Sequence, residues 1–253
     1  MLYRKVLQEI DDNREKRLRG DSVTIPWSMP RISEVLPGIE KARYNLVSAP
    51  PKGGKTQFTD FLFLYEPIEW LEKNPESNIK LKIFYFSLEI SKEAKMRAAI
   101  SHKLFKDYHI SISPQKLLSV FNKYIIDDNI TGILHSEEYL RWAERFESIV
   151  EIYDNIRNPY GIFNTIRTFA EQNGKYTTKT IKWVEEDGSI VDRVVRDTYV
   201  PNDPDLFVII ILDHVSLLQT ERGQSLHQAI GTYSSEYCLH MREEIAPCYS
   251  NVA

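Results

Sequence analysis

One short loop constrains this chain more than any other stretch. Residues 49–56 read Ala-Pro-Pro-Lys-Gly-Gly-Lys-Thr. The strand-type run YNLVS, Tyr44 to Ser48, leads into it, and the stretch from Thr56 to Leu71 behind it is apolar enough for a buried helix, with a kink or break expected at Pro67. Between a strand and a helix, successive backbone N–H groups of such a loop form a nest for anionic oxygens, and the helix N-terminus adds partial positive charge. The loop fits the Walker A phosphate-binding pattern, with Ala49 in place of the usual first Gly. Ala49, Pro50, Pro51, Lys52, Gly53, Gly54, Lys55, Thr56 and Gln57 are therefore the expected nucleotide-binding residues. Lys55 supplies a mobile catalytic cation at the β- and γ-phosphates, and the Thr56 hydroxyl can ligate the Mg²⁺ that accompanies ATP. The competing reading, a glycine-bearing surface turn with an exposed lysine, is disfavoured by the flanking strand and helix.

Two further strand ends carry carboxylates. Leu81 to Leu88 (LKIFYFSL) reads as a buried strand that stops at Glu89, and Ser91 caps a helix running to about Lys106. The run LFVIIILD, ending at Asp213, is the most hydrophobic segment, as expected of a central parallel strand buried on both faces. Strand, loop, helix, strand and helix in this order predict an α/β fold with a mostly parallel central sheet flanked by helices. Asp213 is the natural partner of Thr56 in holding Mg²⁺. Glu89 stands where open α/β sheets gather reactive groups and can orient and partly deprotonate an attacking water. It can equally be an acid capping the following helix, and its residue type alone leaves both roles open.

The rest of the chain is less charged with chemistry. Leu2, Val6, Leu7 and Ile10 lie at helical spacing, and their apolar stripe is expected to dock on the body or on a neighbouring subunit. Ser22 to Lys41, with Pro26, Pro30 and Pro37, reads as an extended lead-in. Helices are predicted over Pro114 to Phe121, Ser136 to Phe146, Tyr160 to Gln172 and Ser225 to Glu244, and a strand over Ile149 to Tyr153. Lys175 to Val200 alternates β-branched and charged residues about Asp187-Gly188, which predicts an inserted β-hairpin. Phe58, Phe61, Phe63 and Tyr65 are expected to pack the helix behind the loop on the sheet. His102, His109, His135, His227 and His240 form no metal-binding pair and read as structural, whereas His214 directly follows the expected metal carboxylate. Two cysteines, Cys238 and Cys248, show no ligand spacing and fit a reducing, cytoplasmic setting. A net charge of -4 argues against coating nucleic acid over the whole surface. The longest apolar stretch, Leu206 to Leu212, is far short of the roughly 20 residues a membrane helix needs, so no membrane partner is expected.

The segments NLVSAPPKGGKTQF, KIFYFSLEISKEAKMRAA and FVIIILDHVSLLQ, in this order, resemble the nucleotide-binding motifs of DnaB-type replicative DNA helicases, especially phage-encoded ones. Ser87-Leu88-Glu89-Ile90-Ser91 matches the family's strand ending in Ser-Leu-Glu-Met, followed by Ser and a helix, with Ile for Met, and the resemblance gives Glu89 the role of catalytic glutamate. Asp213-His214-Val215-Ser216-Leu217-Leu218 is similar to the family's Walker B segment, with His for Tyr. The likeness covers 43–106 and 149–244, with the 175–200 hairpin outside it. It implies a RecA-like P-loop NTPase at 43–253, led by an N-terminal helix and lead-in at 1–42. It also implies an ATP-driven motor, in a homo-oligomeric ring expected to be a hexamer, that translocates on single-stranded DNA, unwinds duplex and works beside primase or other replisome proteins. The setting is then the cytoplasm, the host's if the gene is a phage's. The loop after the Asp213 strand faces DNA in such cores, which makes Arg222 and Gly223 candidate phosphate contacts. The resemblance leaves no room before residue 43 for an all-α N-terminal domain, and only Ile245 to Ala253 beyond the last helix, so the C-terminal part of the core is expected to be missing. A RecA-like recombinase or clock-type ATPase without unwinding, and a truncated, catalytically silent nucleotide-binding module, are the alternatives these residues leave open.

Overall fold

The computed structural model describes residues 2–185, 188–220, 223–237 and 249–252. Its organising element is a pair of parallel strands, β2 (Lys80–Ser87) and β6 (Leu206–Asp213), matched residue for residue from Lys80 opposite Leu206 to Ser87 opposite Asp213. β3 (Val150–Tyr153) pairs parallel with the outer side of β2, while β7 (Tyr249–Val252) and then β1 (Arg43–Asn45) extend the sheet beyond β6, giving the order β1-β7-β6-β2-β3. Residues 249–252 thus pair with β6 on the side away from β2.

Side-chain alternation along β2 and β6 explains why both runs are almost wholly apolar. Leu81, Ile83, Tyr85, Phe207, Ile209 and Ile211 point to one face, where they pack with Leu62, Phe63 and Leu64. Phe84, Phe86, Val208, Ile210 and Leu212 point to the other, against Ile162, Ile166 and Ala170 of helix α8 (Pro159–Asn173). Each fully buried aliphatic side chain here contributes on the order of 2 kcal/mol, so these two strands form the most strongly held part of the molecule.

The helices follow the sequence signals with instructive exceptions. The long helix α1 (Leu2–Arg19) forms, and Val6, Leu7 and Ile10 of its apolar stripe stay exposed. In the lead-in, Ile25 and Ile39 bridge as an antiparallel pair and, with Trp27, enter the core; the short helix α2 (Pro30–Ser33) lies between them. Behind the loop, helix α3 (Lys55–Asp60) passes through a π-helical stretch, Phe61–Tyr65, into α4 (Glu66–Lys73). The irregularity expected at Pro67 is taken up one turn earlier, because a proline in the first turn of α4 has no N–H to give to the preceding turn. Phe58, expected in the packing, is exposed, whereas Phe63 is buried. Ser91 caps α5 (Lys92–Tyr108), its side chain accepting from Ala94 N at 3.3 Å. Asp127 and Ser136 cap α6 (Asp128–Leu134), which the sequence reading missed, and α7 (Glu137–Ile149).

The helix expected over 114–121 does not form. Only one 3-10 turn, Lys116–Leu118, is made, because Ser119 adopts φ 53° and ends it. The helix expected from Ser225 is α9 (Leu226–Gly231) continued by a π-helical stretch, Thr232–Tyr237; its remaining residues to Glu244, with Cys238, His240 and Cys248, lie outside the described residues. No helix among the described residues is long and apolar enough to cross a membrane.

The inserted hairpin is present as β4 (Gly174–Val184) and β5 (Ile190–Pro201), with Gly188 in the turn at φ 83°; Asp187 lies outside the described residues. It makes its own two-stranded sheet and joins the body at its base. There Tyr199 is buried and donates to Ala170 O at 3.0 Å, and Gly174 leaves the space its ring needs, since a Cβ would come within 2.3 Å of it. Replacing residues 180–194 by Asn-Gly is therefore expected to move the melting temperature by no more than about 4 °C. Tyr199→Ala should cost on the order of 3 kcal/mol in a urea titration. Comparable losses from both changes would show the hairpin arm to be part of the core.

Candidate phosphate and metal site

The parallel register brings the site together. Ser87 and Asp213 end their strands side by side, and Leu88 N donates to Asp213 O at 2.8 Å, which carries the pairing one residue further. Glu89 therefore emerges on the rim next to Asp213. Strand β1 reaches the same rim, and the loop beyond it turns back through Gly53 N, which donates to Pro50 O at 2.9 Å. Lys52 and Gly54 both adopt left-handed backbone, with φ 63° and 77°, so Gly54 serves as the N-cap of α3 at a conformation that suits glycine.

A cleft of 660 Å³ results, lined by residues 49–57, Glu89, His214 and Ser216. That size lies within the usual range for small-molecule sites. All nine loop residues singled out from the sequence line it, and Glu89 faces them from the β2 side. Glu89 does not cap α5, because Ser91 does; its side chain is 58% exposed and its Oε2 lies 3.7 Å from His214 Nε2. His214 Nδ1 is in turn hydrogen-bonded to Ser216 Oγ. Gly223 is not among the residues lining the cleft, and Arg222 lies outside the described residues.

Asp213 sits behind Thr56, whose hydroxyl donates to Asp213 Oδ1 at 3.1 Å. Two hard oxygens at this separation suit adjacent ligands of one Mg²⁺, which lie about 2.9 Å apart when bonds of 2.0–2.1 Å meet at right angles. Among the described residues no group of three or more His, Cys, Asp or Glu could hold a metal alone.

The sequence reading missed three residues directly beneath this pair. Thr56 and Asp60 are four apart on α3 and so share a face; Tyr85 is on the same face of the sheet as Asp213; Lys95 lies in the first turns of α5. Lys95 Nζ contacts Asp60 at 2.9 and 3.0 Å, hydrogen-bonds the Tyr85 hydroxyl, and lies 3.5 Å from Asp213 Oδ2. The Tyr85 hydroxyl lies 2.7 Å from Asp60 Oδ1 and 3.1 Å from Asp213 Oδ2. Burial pushes the Asp60 carboxyl above its ordinary range against the opposing pull of Lys95. Burial, then the Asp60 and Asp213 carboxylates, hold the Tyr85 hydroxyl well above its ordinary value, so it remains a proton donor. The available signal was a carboxylate within the otherwise apolar run Phe58 to Leu64.

The fold defined by these elements is a RecA-like α/β domain. It is similar to the solved structure of a DnaB-like replicative helicase, described with its interactions with primase, at a TM-score of 0.56, 16% identity and 96% coverage of this chain. The chain spans 46% of that structure's chain. No family model matches the chain, and no curated protein matches it.

Gly54→Ala would force an L-residue into the left-handed region at the head of α3, costing about 1 kcal/mol. Thermal melting should fall by about 2–4 °C, with weaker binding of a fluorescent ATP analogue. Unchanged binding would mean that this loop geometry is not what holds phosphates.

Proposed function

We propose that the chain is the ATPase motor domain of a DnaB-type, phage-like replicative helicase, hydrolysing ATP to translocate on single-stranded DNA and unwind duplex. The observation that carries this reading is the convergence of the glycine-bearing loop, Thr56 and Glu89 on one cleft, with Asp213 bonded to Thr56. The likeness of fold to a DnaB-like helicase supports the same class.

In this reading the loop amides and Lys55 bind the β- and γ-phosphates, and the turn closed by Gly53 N on Pro50 O leads the chain through Gly54 into the N-terminus of α3. Thr56 and Asp213 would hold Mg²⁺, which when bound neutralises charge developing on the phosphates. Glu89, exposed on the cleft wall, orients the attacking water and draws on its proton. His214 lies beyond Glu89 and limits its swing. Neighbouring copies in a ring, single-stranded DNA in its centre and a primase at its rim are the partners that follow from this assignment.

Lys55→Ala should weaken Mg-ATP binding roughly 10- to 100-fold, the value of a charge-assisted hydrogen bond or two. Glu89→Gln should keep that affinity and lower kcat by about 10² or more. Equilibrium binding of a fluorescent ATP analogue and single-turnover hydrolysis separate the two effects, and equal loss of binding in both variants would refute this division of labour. Strand separation on forked DNA is the further test: DNA-stimulated hydrolysis without unwinding would assign the site to a RecA-like recombinase or switch ATPase.

A further inference from the structure

The cluster of Asp60, Tyr85 and Lys95 is buried directly behind the site, and nothing in the proposed chemistry uses it. Lys95 and Asp60 expose only 1% and 8% of their side chains. An ammonium and a carboxylate so deeply placed are costly to desolvate and persist only with well-made partners. Here the partners lead to one atom. Asp213 Oδ2 has the Tyr85 hydroxyl at 3.1 Å and Lys95 Nζ at 3.5 Å on its interior side, while Oδ1 accepts from the Thr56 hydroxyl on the cleft side. A phenol has one proton to donate; since Lys95 donates into the Tyr85 oxygen, that proton is left for Asp60 or Asp213.

We propose that Lys95, Asp60 and Tyr85 are positioning residues for the Asp213 carboxylate: they clamp Oδ2 from behind so that Oδ1 is presented beside Thr56 to a divalent cation. The proposal rests on the reading of Asp213 and Thr56 as the metal-holding pair. Groups that orient a metal-binding carboxylate through hydrogen bonds typically set its affinity within a factor of 10 to 100. The cluster therefore tunes metal binding without touching metal or nucleotide.

Asp60→Leu/Lys95→Met tests this, because it exchanges the buried pair for apolar side chains of similar size and leaves Asp213 the Thr56 and Tyr85 hydroxyls as donors. Mn²⁺ binding to the full chain, read from the free Mn²⁺ signal in electron paramagnetic resonance with a non-hydrolysable ATP analogue present, should weaken about tenfold or more. Binding of the same analogue in excess EDTA should stay within about twofold, a split that a merely structural role of the pair would not produce. Tyr85→Phe, which removes one hydroxyl, should weaken Mn²⁺ binding in the same direction by a smaller factor. Wild-type Mn²⁺ affinity in the folded double variant would overturn the proposal, and if that variant does not fold, wild-type affinity in Tyr85→Phe overturns it. Asp213→Ala separates the two levels of the argument. Lost Mn²⁺ binding there supports the metal assignment whatever the cluster variants do, whereas retained binding overturns that assignment and the positioning role with it.

Discussion

The parallel pairing of β2 with β6 is the constraint on which the rest of this structure depends. Its register sets Ser87 opposite Asp213, and every group of the candidate site is placed relative to that pair. A slip of one residue would set Tyr85 and Asp213 on opposite faces of the sheet and turn one strand's side chains to the wrong packing partners. Register is secured by the strands' own hydrophobicity: both faces are covered, so any slip exchanges well-packed neighbours for mismatched ones. The backbone bond from Leu88 to Asp213 then fixes the direction in which the chain leaves β2.

Charge is handled unevenly around this rim. Towards the cleft lie exposed or half-exposed groups, Glu89 and His214 among them, whose interactions are moderated by water. Beneath it lies the Lys95 cluster, in which the same kinds of groups are sealed off and their mutual hydrogen bonds carry more weight. The loop is tied to both zones through Thr56, which faces the cleft and bonds to Asp213. Helix α3 thus couples the cleft-lining loop to the buried charges through two residues one turn apart, Thr56 and Asp60.

The legible parts of the sequence were those where a local pattern has a local physical cause. Ser91 caps a helix because its side chain satisfies a backbone N–H three residues on, as the sequence alone says; the structure adds the same role for Ser136. The continuous apolar run at 206–212 reads as a doubly covered strand for the same reason. The misread parts turn on backbone conformation or on partners more distant in the chain. In the stretch 114–121 Ser113 Oγ accepts from Lys116 N at 3.3 Å, but a left-handed Ser119 ends the single turn that forms. Helix α6 is short, and its apolar residues Ile130 and Ile133 gain their meaning from a satellite core with Tyr139 on the next helix and with Leu104 on α5, more distant in the chain.

The sequence by itself determined the loop, its two flanking strand ends and the carboxylates that terminate them, because strand burial, turn formation and helix capping are decided by residues close to one another in the chain. Only the tertiary structure decided which of those groups meet. Thr56 and Asp213 are 157 residues apart and joined by one hydrogen bond, and Asp60, Tyr85 and Lys95 come from three different elements. Local propensity carries no information about such encounters; they follow from sheet order, register and the angle at which α3 and α5 cross the sheet, all of which are set by packing over the whole domain.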